Sequence, residues 1–242
     1  MESAKDLRVA PIRAADANRL VQRLHYSGKV APNSQLHFGV FYRGHLEGVM
    51  QLGPSINKKG TMQIVQDTKW NGFIELNRMA FSERLPRNSE SRALSVAMKL
   101  MRKHYSHIEW IVSFADGTQC GDGAIYRASG FLLTDIRLSD ALRVNPKSGE
   151  TMHVIQAHHL KLSKEFRAWK SLDGFQMRYV YFLNPAARQR LTVPVLPFAA
   201  IDAAGARMYR GQRVTGADSG TAAIHAAGGG ANPTVMLGDA EA

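Results

Sequence analysis

Glu109-Trp110-Ile111-Val112-Ser113-Phe114-Ala115 is an almost wholly apolar run that delivers Asp116 into a glycine-rich stretch, Gly117-Thr118-Gln119-Cys120-Gly121-Asp122-Gly123. Apolar residues in succession, without a polar residue at every second place, suit a strand at the centre of a sheet covered on both faces. The rest of the chain must then supply cover for two sides, and two segments answer. Ala14, Ala17, Leu20, Val21 and Leu24 recur at helical spacing, with Asp16 as a candidate cap. Across residues 90–104, Ala93, Leu94, Ala97, Leu100 and Met101 form one apolar face, with Arg92, Lys99, Arg102 and Lys103 elsewhere.

Further strands are predicted at residues 7–12, 36–42, 46–52, 73–81, 131–138, 151–156 and 176–183. Arg43-Gly44-His45 joins the second and third as a hairpin. Residues 54–71 read as a long polar loop, 121–129 as a short helix closed by Gly130, and 160–171 as a helix. This order describes an α/β fold, a mixed central sheet flanked by helices, and 45% apolar composition is ample for its core. The domain is expected to span residues 1–190. Residues 191–242 form an Ala/Gly-rich tail. From Ala199 onward, with Gly228-Gly229-Gly230, the sequence lacks periodicity and is predicted to be disordered and dispensable for folding.

Thirty-one Lys and Arg face 20 Asp and Glu, a formal net charge of +11, which points to polyanionic partners. The excess concentrates between Ala141 and Arg190, where nine Lys and Arg stand against Glu150, Glu165 and Asp173. Lys161, Lys164, Arg167 and Lys170 are candidate phosphate contacts, and Phe166, Trp169, Phe175, Tyr179 and Tyr181 are interleaved. Those rings serve equally as stacking surfaces or as core under a solvated helix. No apolar run reaches the roughly 18 residues of a membrane span, and the first residues lack a signal-peptide core, so no membrane partner and a cytosolic location are expected. A single cysteine, Cys120, excludes an intrachain disulfide and a Cys-rich zinc cage. As a nucleophile Cys120 would need a base that nothing in the sequence marks.

In mixed α/β sheets, ligands bind beyond the carboxyl ends of the central strands. After the strand at 73–81 come Arg87, Asn88, Ser89, Ser91 and Arg92, where a helix N-terminus, hydroxyls and guanidinium groups converge on an anion such as a pyrophosphate. The same residues also read as a plain helix cap, and they match neither a Walker loop nor Gly-x-Gly-x-x-Gly. Asp116, ending the central strand, either accepts a proton from a nucleophile or caps the next turn. Glu75 and Arg78 are three apart on a strand and are expected on opposite faces, with one of them facing the site. Nine histidines form no closed ligand spacing. His25, His37 and Asp116 would meet only through tertiary structure, and metal ligands stay unassigned.

The segment Tyr126-Arg127-Ala128-Ser129-Gly130-Phe131 resembles the Tyr-x-x-x-Gly-Phe segment of GNAT-type acyl-CoA-dependent transferases, and the loop before the 90–104 helix lies where their pyrophosphate loop sits. The resemblance implies a GNAT-like fold and an acyl-CoA-type donor such as acetyl-CoA, held at Arg87, Asn88, Ser89, Ser91 and Arg92. The chain departs from that superfamily in lacking its Arg/Gln-x-x-Gly-x-Gly/Ala signature. More closely, His25-Tyr26-Ser27-Gly28-Lys29, Glu75-Leu76-Asn77-Arg78, Arg87-Asn88-Ser89-Glu90-Ser91 and Ser113-Phe114-Ala115-Asp116 through Tyr126 resemble the Mom DNA-modification family of Mu-like phages. That likeness runs from about residue 7 to 183. It implies an enzyme that adds a carbamoylmethyl (acetamido) group to the exocyclic amine of adenine in double-stranded DNA, shielding phage DNA from restriction in the host cytoplasm. It also implies iron dependence. Asp116, Tyr126, Ser113 and Glu75 are the catalytic candidates, and a homodimer is an additional expectation. Two rival readings stand beside it: an N-acetyltransferase acting on a protein or small amine, and a basic DNA-binding protein without catalysis.

Overall fold

The computed structural model describes residues 3–213 apart from 118–120, 140, 173, 207, 210 and 211. In chain order its elements are β1 (Arg8–Pro11), α1 (Ala14–Leu24), β2 (Leu36–Tyr42), β3 (His45–Gly53), α2 (Lys58–Met62), β4 (Phe73–Phe81), α3 (Ser89–His104), β5 (Trp110–Asp116), α4 (Ala124–Ala128) and β6 (Leu132–Ser139). There follow β7 (Leu142–Val144), β8 (Thr151–His153), α5 (Val154–His159), α6 (Ser163–Arg167), β9 (Lys170–Ser171), β10 (Gly174–Phe182), α7 (Ala199–Ala203), β11 (Met208–Tyr209) and β12 (Gln212–Arg213). Seven strands form the main sheet in the order β1-β2-β3-β4-β5-β10-β6. Every neighbouring pair is antiparallel except β4 and β5, which run parallel. The mixed sheet flanked by helices is the expected class.

Burial explains the layering. β5 is covered on both sides: Ile111 and Ala115 join the large core under α3, while Trp110 and Val112 join a second core with Phe73, Ile64 and Val65. Trp110 stacks on Phe73 at 4.5 Å, and its indole N–H donates to the Thr68 hydroxyl at 3.0 Å, so its one polar group is satisfied. α3 buries Ala93, Leu94, Ala97, Met98 and Met101 and ends in Arg102, Lys103 and His104, which suit the helix dipole. α1 covers the other side, packing Ala17, Leu20 and Val21 on Val49 and Ala80. Its Asp16 does not cap it. The cap position is Arg13, without a side-chain bond, and Asp16 instead pairs with Arg13 and Arg19. The β2–β3 hairpin turns on Arg43 and Gly44, both at positive φ as a two-residue turn requires.

Three expectations change. First, residues 191–206 belong to the domain. Leu191 bridges Val65, the Leu196 amide donates to the Leu133 carbonyl, and Ile201 and Ala206 are buried in the main core. The folded unit thus extends past residue 190, and the disorder predicted from Ala199 does not hold for residues 199–206. Residues 214–242 lie outside the described residues, as does Cys120. Second, the stretch between β6 and β10 builds a small lobe, the sheet β8-β7-β9, with α5 and α6 and a core of Met152, Ala157 and Phe166. The predicted 151–156 strand turns helical at Val154, and the predicted 160–171 helix is broken by Lys161 at φ 57. Third, the 54–71 loop contains α2.

Candidate active site

β4 and β5 pair only from Phe73↔Trp110 to Glu75↔Val112. Each then continues with its outer neighbour, β4 on β3 as far as Phe81 and β5 on β10 as far as Asp116. Among the described residues no ladder joins them beyond Glu75, so a wedge opens between two strands whose facing backbone groups are left for a ligand or water. At its apex the buried Ser113 hydroxyl lies 3.3 Å from the Leu76 carbonyl and 2.8 Å from the Tyr126 hydroxyl.

The β3–β4 register shifts between Gln51↔Arg78 and Leu52↔Leu76, leaving Asn77 as an extra residue in β4. Such a bulge reverses the alternation of all that follows. Leu76 and Met79 accordingly both face the α3 core, although three residues apart. Glu75 and Arg78 therefore share the opposite face, against the expectation that they would be separated. Gly53, opposite Glu75, leaves the room: a Cβ there would stand 2.7 Å from the Asn77 carboxamide oxygen and 2.6 Å from the Asn33 carbonyl.

On that face a polar cluster gathers. Burial pushes the Glu75 carboxyl above its ordinary range, against the opposing effect of hydrogen bonds from Ser55 and Asn77 and the charge of Arg78. The Ser34 hydroxyl donates to the Asn77 oxygen at 3.1 Å, which leaves the amide hydrogens for Glu75. Arg78 donates from Nε to the Lys29 carbonyl at 3.0 Å and from Nη1 to the Asn77 carbonyl at 2.7 Å. His25 is lowered to about 3 by burial and then by Arg78, so it stays neutral, with Nδ1 2.8 Å from the Ser27 hydroxyl. Tyr26 packs against His25, tilted, with ring centroids 4.2 Å apart, and is 47% exposed. His153, from the inserted lobe, is lowered by burial, raised by Asp116 and lowered by Lys29 and Arg78, which places the lobe over the same face. Gln51, fully buried, bridges Asn18 and His37, and its carboxamide oxygen has no hydrogen-bond partner.

Ser113 and Tyr126 stand on the other side of the sheet. β5 pairs with β10 without interruption, so Ser113 and Asp116, three apart, face opposite ways. Tyr126 packs 5.0 Å from Tyr179, whose hydroxyl donates to the Asp122 carbonyl. Burial, then Asp122 and Tyr126, hold the Tyr179 hydroxyl protonated far above the usual range. Gly123, at φ 74, is required here because a Cβ would stand 2.6 Å from the Tyr179 ring. The four catalytic candidates thus divide, Glu75 and Asp116 on one face, Ser113 and Tyr126 on the other.

The β4–α3 loop fits an anionic donor through part of its predicted set. Arg87 and Arg92 are exposed at the start of α3. Asn88 takes a left-handed conformation and makes no side-chain cap. The hydroxyls of Ser89 and Ser91 donate within the loop, to the carbonyls of Pro86 (2.5 Å) and Asn88 (3.2 Å). Glu90 accepts from its own backbone N–H while burial raises its carboxyl, so this acid competes with any anion there. For the iron expectation there is no fit among the described residues, where no three His, Cys, Asp or Glu side chains form a ligand group. Lys161, Lys164, Arg167 and Lys170 are all exposed on the lobe. The interleaved aromatics are not: Phe166, Phe175 and Tyr179 are buried, and Trp169 packs on Phe166. Sequence reasoning missed Ser55, Asn77, Gln51 and His153 as site residues. A bulge brings in Asn77, the fold of the lobe brings in His153, and Gln51 and Ser55 come from β3 and the loop after it, none of which leaves a local motif.

No described helix is long and apolar enough to cross a membrane. Among solved structures, the ribosomal-protein-S18-alanine N-acetyltransferase of Escherichia coli is similar with a TM-score of 0.44 and 11% identity, over 74% of this chain and 94% of that one. A spermidine/spermine N-acetyltransferase of Vibrio cholerae reaches 0.46 with 9% identity, over 77% and 98%. In sequence, the methylcarbamoylase Mom of Escherichia phage Mu is 38% identical over 199 residues, 78% of this chain and 80% of that protein. The Mom protein family profile matches residues 6–200, nearly the whole of the described fold, and the chain belongs to that family.

Proposed function

We propose that this protein modifies adenine in double-stranded DNA, joining a carbamoylmethyl group to the exocyclic amine and so shielding phage DNA from restriction in the host cytoplasm. Membership of the Mom family and 38% identity to a methylcarbamoylase support the reading. The observation that carries it is the Glu75 carboxylate, raised by burial and held by Ser55 and Asn77 where the sheet opens. An exocyclic adenine amine is a weak nucleophile, because its lone pair is delocalised into the ring. Forming a bond at that nitrogen releases a proton, and a carboxylate of raised proton affinity is suited to take it. Inside duplex DNA the amine is also out of reach, so the base must be extruded.

In this reading Glu75 accepts the proton and Arg78 orients the base. Asp116 shares the acceptor face and acts electrostatically on His153 of the lobe. Lys161, Lys164, Arg167 and Lys170 contact phosphates. Ser113 and Tyr126 serve the donor side. An acyl-CoA-type donor would be held by Arg87 and Arg92 once Glu90 leaves its own amide. A carbamoylmethyl group joins nitrogen through its methylene carbon, so the donor must present a methylene bearing a leaving group: the N–C bond forms there, the leaving group departs with its electron pair, and the amine proton goes to Glu75. The test is mass spectrometry of nucleosides from DNA of cells expressing the chain. Carbamoylmethyl-adenine is expected. Unmodified adenine with folded protein present overturns the reading, and acetylation of a protein or small amine by the purified chain would favour the acetyltransferase instead.

A further inference from the structure

Ile56 is 81% exposed, the largest exposure of any large apolar side chain among the described residues. Its backbone is nevertheless fixed from both sides. Ser55, before it, is buried, bonds Thr61 at 3.1 Å and donates to Glu75. Asn57, after it, caps α2 by accepting from the Gly60 N–H at 3.1 Å. An apolar side chain is thus held rigidly in solvent one residue from a contact of the proposed base. The Asn33 side chain donates to the Pro54 carbonyl at 2.8 Å, tying this loop to the segment that carries His25 and the exposed Tyr26.

The surroundings are basic. Between Pro54 and Gly72 stand Lys58, Lys59 and Lys69 against one acid, Asp67. Lys58 is fixed as well, its ammonium 4.3 Å above the half-exposed Trp70 ring and 3.2 Å from the Asn71 side-chain oxygen. Lysines flanking a projecting aliphatic side chain match the chemistry of a duplex in which phosphates border a stack of apolar base faces.

Resting on the reading of this protein as a DNA adenine-modifying enzyme, we infer that Ile56 is a wedge that enters the base stack where the target adenine has left it, with Lys58, Lys59 and Lys69 on the adjoining phosphates. Extruding a base leaves a gap, and the helix closes over it unless something fills it. An aliphatic side chain does so without demanding hydrogen bonds from the orphaned partner base. The position next to Ser55 couples the two events, since the loop that fills the gap also bonds the carboxylate meeting the extruded base.

The test uses full-length protein and 25-mer duplexes (length of order two helical turns) with 2-aminopurine, an adenine analogue that fluoresces when unstacked, amid randomised flanks. One duplex pairs the analogue with thymine, and the other sets it opposite an abasic site. Wild-type protein is expected to raise fluorescence in both, and Ile56→Ala only in the abasic duplex, where no pairing holds the base and no partner base is orphaned. In cells, Ile56→Ala should lower modified adenine about 10-fold or more with unchanged protein level. Wild-type fluorescence with Ile56→Ala in the paired duplex overturns the wedge, and so does loss of signal in both duplexes, which would mean general loss of binding. Wild-type cells without modified adenine, in contrast, overturn the function on which the wedge rests.

Discussion

β4 and β5 are parallel neighbours, and each carries two chemically interesting residues three apart: Glu75 and Arg78 on one, Ser113 and Asp116 on the other. Equal spacing gives opposite outcomes. β5 keeps strict alternation along β10, so its hydroxyl and its carboxylate point to different sides of the sheet. β4 takes in one extra residue, Asn77, and its acid and its base end on one side. The regular strand thus separates two chemistries, a hydroxyl pair on one face and an acceptor cluster on the other. The bulged strand concentrates charge. A proton acceptor with raised affinity is built on β4, next to the residue that breaks the rule.

The largest effect should therefore fall on β4. Glu75→Gln keeps shape and hydrogen-bonding capacity while removing the proton acceptor, and the rate of adenine modification should drop by roughly 10²–10⁴-fold. Asp116→Asn, whose charge acts through His153, should lose only about 10-fold, on the scale of one tuned electrostatic contact. Both are read as modified adenine per unit of protein. The pH profile adds a second reading. A carboxyl raised above its ordinary value must lose its proton to work, so the acid limb of activity should lie above the usual carboxylate range. Stability runs the other way: the folded state holds that proton longer than the unfolded chain, so stability should fall as pH rises from the ordinary value through the raised one, and Glu75→Gln should remove that slope. A greater loss for Asp116→Asn than for Glu75→Gln would move the acceptor to β5.

How far the sequence foretold this differs between the same two strands. β4, β5, α3 and the β2–β3 hairpin were legible to within a residue or two, because long apolar patterns are read in the core much as they are spelled. Asp116 was legible as an acid ending the central strand, and Glu75, Ser113 and Tyr126 as polar groups within or following the two central strands. Their grouping was not. A bulge is a matter of register against β3, which no feature of Glu75-Leu76-Asn77-Arg78 announces. The lobe was misread because strands of two or three residues carry too little pattern to outweigh a helical reading. Ile201 and Ala206 were missed because two isolated buried side chains dock a segment that otherwise looks featureless.

Arg78 allows the bulge itself to be probed. Placed between Glu75 and His25, its charge lowers both. Arg78→Met removes that charge while keeping an apolar stem. The Glu75 carboxyl should rise further, moving the acid limb of activity to higher pH, and His25 should rise from about 3 toward, but not to, its ordinary value, because burial remains the larger cause. The His25 ring protons followed by NMR titration report the second change without any need for activity. The sign for stability follows. A histidine lowered in the fold favours unfolding as pH falls below its ordinary 6.5, so the variant should lose less stability through this group on acidification than wild type does. Unmoved His25 would mean that Arg78 points away, as an unbulged strand would have it.

The smallest effect belongs to the hydroxyl pair that links the regular strand to α4. Tyr126→Phe removes a hydroxyl 2.8 Å from Ser113 but leaves Ser113 within 3.3 Å of the Leu76 carbonyl, so no buried group at the wedge apex is stranded. Loss of one such hydrogen bond, partly replaced, should lower stability by about 1 kcal/mol and the melting temperature by roughly 2–4 °C for a chain of this size. Ser113→Ala removes the link to Leu76 as well and should cost more, and the double variant should fall short of the sum because both single changes delete the same contact. Modification should decline only a few-fold, since the acceptor chemistry lies across the sheet. A loss for Tyr126→Phe as large as for Glu75→Gln, in protein of near wild-type stability, would mean that the proton passes through the hydroxyl pair and that β5, not β4, carries the reaction.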